Sequence, residues 1–159
     1  MDDWFAGERG EGFVFMGAGA VSVGGGAYLL TRDEPFARGA GYSTLGAGAL
    51  LLTGIGFYMA SLGPEHRRLT ADLAADPDAF LVEETARMRG IARRFVLYRW
   101  VEISMVAIGG GLVTWGALDD RPLVAGIGTG LAAEFALALL LDLFAERRAH
   151  RYLDILSSR

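Results

Sequence analysis

The chain has no cysteine, which excludes disulfides, thiolate chemistry and cysteine-held metal. It has no lysine either: all 15 basic residues are arginine. A phosphate-binding loop ending in Gly-Lys-Ser/Thr is therefore absent. Four prolines cannot support a collagen repeat. Ser22, Ser43, Ser61 and Ser104 have no histidine near them in the sequence, so nucleophilic catalysis lacks a base. The two histidines, His66 and His150, do not make a closed ligand set, although Glu146 and His150 are four apart on one helix face. No enzyme activity, cofactor, metal or nucleic-acid partner is expected from these features.

Apolar residues and glycine dominate what is present. Hydrophobic residues make up 52% of the 159, and mean hydropathy is +0.32. That excludes a disordered chain, and 17.0 kDa fits a single domain. Glycine, at 23 residues, is about twice as common as usual. Charges are clustered and leave four long apolar runs. Residues 13–31 and 39–63 contain no charge. Residues 95–118 contain only Arg99 and Glu102, and residues 122–145 only Glu134 and Asp142. A helix rises about 1.5 Å per residue, so about 20 residues cross a bilayer core. The first two runs have no polar face, unlike soluble helices, and no run alternates with period two as a barrel strand would. The reading is an all-α integral membrane four-helix bundle. Its four spans are joined by a helical loop over 64–94 and followed by a helix over 146–157. The acidic start, Asp2, Asp3, Glu8 and Glu11 against Arg9, is unlike a cleaved signal, so the first run is expected to be a retained span.

Arginine placement orients the bundle. Four spans put the N-terminus, the central loop and the C-terminus on one side. That side carries Arg9, Arg67, Arg68, Arg87, Arg89, Arg93, Arg94, Arg147, Arg148, Arg151 and Arg159. The other side carries Arg32, Arg38 and Arg121. The positive-inside rule then predicts both termini in the cytoplasm of a bacterial inner membrane. Tyr58, Tyr98, Trp100, Tyr28 and Trp115 sit near span ends, where amphipathic rings collect. Asp76-Pro77 signals a helix start that runs into the third span, with Leu81, Met88, Ala92 and Phe95 along one stripe. The last span is expected to continue as an amphipathic helix with Ala145, Ala149, Tyr152, Leu153 and Leu156 on one face. Arg87, Arg93, Arg94, Arg147 and Arg148 are the candidates for binding anionic lipid headgroups or a partner.

The two halves also echo each other. Gly24-Gly25-Gly26, then Pro35 and Gly39-Ala40-Gly41, parallels Gly109-Gly110-Gly111, then Pro122 and Gly126-Ile127-Gly128. In both halves glycine follows proline by four residues. A duplicated helical hairpin with both copies pointing the same way is the expectation. Ala20 with Gly24, Gly126 with Gly130 and Ala132 with Ala136 are small pairs one turn apart. Such pairs favour close helix contact within the chain or in a homo-oligomer.

Charged groups inside a span are expensive, about 2.5–3.5 kcal/mol each on insertion scales. Counted from the cytoplasmic ends, Arg99 and Asp142 lie roughly 6 Å deep, Glu102 roughly 10 Å and Glu134 roughly 18 Å. The expectation is an acidic ladder of Asp142, Glu102 and Glu134, with Arg99 paired to Asp142 at its mouth, lining a polar cavity. The segments Tyr98-Arg99-Trp100-Val101-Glu102, Gly126-Ile127-Gly128-Thr129-Gly130-Leu131 and Asp142-Leu143-Phe144-Ala145-Glu146-Arg147-Arg148 with Tyr152-Leu153 resemble an uncharacterised family of small four-span bacterial membrane proteins. The Pro35-Phe36 turn with Gly39 resembles that family's first half. The resemblance implies weight for Arg99, Glu102, Asp142, Glu146, Arg147 and Arg148. At Glu134 it implies Gln, which fits hydrogen bonding more than proton carriage. Two functions follow from the sequence. One is a small channel or transporter for a proton, cation or small polar solute. The other is a non-transporting adaptor or regulatory subunit that uses the Arg-rich helices.

Overall fold

A computed structural model describes residues 2–157; Arg159, counted above, lies outside the described residues. The architecture is all-helical: α1 (Asp2–Leu30), α2 (Pro35–Ala75), α3 (Pro77–Leu118) and α4 (Pro122–Ser157). Prolines open three of the four helices, at the position where a missing N–H costs nothing and the fixed φ suits the helix. Asp76 closes α2 and caps α3. Its carboxylate accepts from the Asp78 and Ala79 backbone N–H groups at 3.1 and 3.0 Å. At the other junction Asp120 takes a left-handed φ of 50°, which aspartate tolerates better than most residues.

The helices outrun their apolar stretches. α2 has 41 residues and α3 has 42, each about 60 Å long. Pro64 does not end α2, although it cannot donate to the Ala60 carbonyl. The segment expected as a helical loop over 64–94 is thus the end of one helix, the tight Asp76 corner and the start of the next.

α1 packs along α2, α3 packs along α4, and the two hairpins join through α2 and α4; the backbones of α1 and α3 do not approach each other closely. Glycine makes that junction. A Cβ on Gly39 would strike the Leu123 carbonyl oxygen and come within 2.9 Å of the Ile127 nitrogen. A Cβ on Gly126 would strike the Phe36 carbonyl oxygen and come within 2.9 Å of the Ala40 nitrogen. Gly39 and Gly126 are the residues at matching distance from Pro35 and Pro122, and each occupies the other's mirror position. Such reciprocity is what a two-fold relation between hairpins requires.

The internal match extends to the hairpins, with a different alignment from the one the glycine triplets invite. Gly41 approaches Gly26 and Leu30, while Gly128 approaches Gly109 and Val113. Gly26, last of its triplet, therefore corresponds to Gly109, first of its own. Gly24, Gly25, Gly110 and Gly111 meet nothing within 4 Å. Of the small pairs, Gly126 with Gly130 faces α2, whereas Ala20 and Gly24 face outward.

Among the described residues a cluster of large buried side chains forms at the Arg-rich end. There Trp4, Phe5, Leu62, Leu69, Phe80, Met88, Ala149, Tyr152 and Leu156 form one buried cluster, with Met59, Leu81, Ile91, Phe95 and Leu153 against it. Met88 is fully buried, and the expected stripes on α3 and on the end of α4 face this core. Toward the hairpin turns the pattern inverts. Val21 and Leu50 are 75% and 77% exposed, and Phe57, Ile108 and Leu118 also point outward. Each of the four helices is long and apolar enough to cross a membrane.

Candidate functional site

Most buried charge lies between the apolar halves of the helices and the side-chain core. The expected ladder separates into two parts. Arg99 ion-pairs with Glu146 and not with Asp142. The reason is geometric: Glu146 lies one turn beyond Asp142 toward the Arg-rich end, and the long guanidinium side chain reaches back toward that end. Asp142 instead lies within hydrogen-bonding reach of Glu102. Phe95, Leu139 and Leu143 close the crevice holding these four groups, leaving no room for a water molecule. Glu134 is elsewhere, accepting a hydrogen bond of 2.9 Å from Ser22 Oγ across the α1–α4 contact. It lines neither this crevice nor the cavity described below.

A second charged cluster was not legible as such. Glu8 and Glu11 are three apart, which places both on one face of α1. Arg148 on α4 donates to Glu8 at 2.5 Å and to Glu11 at 2.6 Å. Its guanidinium also lies 5.1 Å from the Trp4 ring centre. The Tyr58 hydroxyl donates to Glu8, bringing α2 into the same cluster. Glu11 sits just outside the first apolar run, and burial holds its carboxyl above the usual range despite Arg148. The three-residue spacing was the available signal, but nothing in the sequence said which arginine would answer it.

Glu84 is a further buried acid that periodicity missed, only 1% exposed. Arg87 grips it with two parallel bonds of 2.6 and 2.7 Å and also lies 3.7 Å from Glu65. The bond to Glu84 outweighs the desolvation of Arg87 and holds its proton more firmly than usual.

Between the helices at this end is a cavity of about 530 Å³. Trp4, Phe15, Phe95 and Tyr98 supply its apolar walls, and Glu8, Glu11, Asp142 and Arg94 its polar points. Its mean character is apolar with a few convergent charges, the usual make-up of a small-molecule site.

The five arginines expected to bind lipid or a partner divide accordingly. Arg87 and Arg148 turn inward to carboxylates. Arg93, Arg94 and Arg147 are exposed, and Arg147 lies 5.9 Å from the Phe144 ring. The Glu146–His150 spacing does not join their side chains: Arg99 takes the Glu146 carboxylate, and His150 Nδ1 faces the Glu146 backbone carbonyl at 3.0 Å.

No family model, curated protein or solved structure matches the chain, so what the site does must be argued from its own geometry.

Proposed function

We propose that this is a multi-pass membrane protein of the non-transporting kind, an adaptor or regulatory subunit. In this reading its Arg-rich end engages anionic lipid headgroups at the cytoplasmic face. One observation carries it: the cavity of about 530 Å³ lies at the Arg-rich end, while the apolar halves close on one another backbone to backbone through Gly39 and Gly126. A conduction path would need space beside Glu134, and that carboxylate is packed against Ser22. Meanwhile Arg93, Arg94 and Arg147 lie exposed beside the ends of the apolar runs, and none of them ion-pairs with a carboxylate among the described residues. Exposed arginines at that level attract anionic headgroups at about 1 kcal/mol each.

The test is lipid retention by the purified protein in nanodiscs of phosphatidylcholine with or without phosphatidylglycerol. Wild type should enrich the anionic lipid. Replacing Arg93, Arg94 and Arg147 together by Gln should weaken that preference roughly a hundredfold, the product of three contributions of about 1 kcal/mol. Equal retention by both proteins would refute the reading.

Transport remains the second reading, favoured by Asp142, which faces the cavity while touching a buried acid deeper in the bundle. Proteoliposomes loaded with a pH-sensitive dye separate the two. No proton leak above empty vesicles is expected, and a leak abolished by Glu102→Gln would favour transport.

A further inference from the structure

Glu102 is 6% exposed, and its Oε2 has no hydrogen-bond partner. A buried carboxylate oxygen without a donor is costly, because it gave up water and received nothing in return. The surroundings make the deficit worse. From α4, Asp142 and Glu146 face it; from its own helix Arg99 does, and that guanidinium is engaged by Glu146. Three carboxyl groups thus share one cation in a crevice walled by Phe95, Leu139 and Leu143. Two carboxylates in contact in so dry a place cannot both stay ionised. A proton supplies the missing donor and removes one negative charge, and it needs no space where none is left.

We infer that Glu102 and Asp142 form an acid pair that binds a single proton, exchanged with solvent through the cavity at the Arg-rich end. Asp142 is the link, because it lines both the cavity and the closed crevice. The step is a simple protonation: one solvent proton adds to one carboxylate, and the other carboxylate accepts the resulting O–H. Across the cavity α1 presents Glu8 and Glu11, α2 presents Tyr58 and Glu65, and α3 presents Arg87 and Arg94. Of these, Glu8, Glu11, Glu65 and Arg87 are tied up in ion pairs, which leaves Asp142 as the carboxyl that hands the proton inward. The inference is independent of the lipid-binding reading and holds whether or not the proton ever crosses the membrane.

Infrared spectroscopy on the full chain in detergent at neutral pH tests it. The wild-type spectrum should contain the carbonyl stretch of a protonated carboxyl. Difference spectra should show that band lost in Glu102→Gln and equally lost in Asp142→Asn, and kept in Glu134→Gln. In the first two variants the new amide donates to the surviving carboxylate, so the fold should persist, checked by helical circular dichroism. If one of them fails to fold, the other reads the same band. Absence of the band in wild type, its survival in both pair variants, or its loss only in Glu134→Gln would each overturn the inference. So would its disappearance on adding sodium chloride at fixed pH, which would assign the pair to a monovalent cation.

Discussion

Near the hairpin turns the helices touch through Gly26, Gly39, Gly109 and Gly126, and the large apolar side chains face outward. Near the Arg-rich end Trp4, Phe5, Met88 and Tyr152 face inward, and the arginines face outward or pair with buried acids. The same helices run through both regions, so secondary structure does not explain the inversion. Solvent does. In water, burying large apolar groups drives packing. In lipid that drive is absent between helices, and small residues that let backbones approach take over. The contrast between the two regions is the main support for placing one in the bilayer and the other in water.

The sharpest way to break the contrast is to put bulk at the glycine junction. Gly126→Leu should prevent assembly of the two hairpins, seen as loss of a monodisperse peak on size-exclusion chromatography in detergent. Gly54→Ala, which meets nothing within 4 Å, should leave the peak unchanged. Next is Arg148→Ala, which leaves Glu8 and Glu11 without their shared cation at the edge of the core. It should cost about 3–5 kcal/mol, read as a lower melting temperature. The water-type core predicts about 2–5 kcal/mol for Met88→Ala, whereas Leu50→Ala on the outer face should shift melting in detergent far less. Ser22→Ala, removing the donor to Glu134, should cost only about 0.6–1.7 kcal/mol, in the range of hydrogen bonds between membrane helices.

The smallest effect concerns pH. Burial raises the Glu11 carboxyl above its unfolded value, so the folded state keeps its proton longer. Stability from this group is then present at low pH and declines as pH rises from about 4 through the raised value. Raising pH from about 4 to 7 should therefore lower the wild-type melting temperature more than that of Glu11→Gln.

Long apolar helices, helix starts and core stripes were legible because each depends on local features: run length, proline position and period. The four apolar runs, the Asp76-Pro77 corner and the Tyr152 face needed no knowledge of neighbours. The proline-to-glycine echo pointed to the residues that join the hairpins, because the same backbone approach is made twice. The pairing of charges was not legible. Depth counting placed Arg99 and Asp142 level with each other, but a guanidinium on a long stem chooses among carboxylates over more than a helical turn, and it took Glu146. Arg148, counted as a surface cation, found Glu8 and Glu11 across more than a hundred residues of chain.

The sequence by itself determined four long helices, their apolar stretches and the end at which arginine collects, since hydropathy and helix periodicity are properties of single segments. Only the tertiary structure decided which carboxyls are neutralised by arginine, which is satisfied by Ser22, and which two are left to face each other. The energy of a buried charge depends on its nearest partner in space, and for Glu8, Glu11, Glu134 and Glu146 that partner came from another helix.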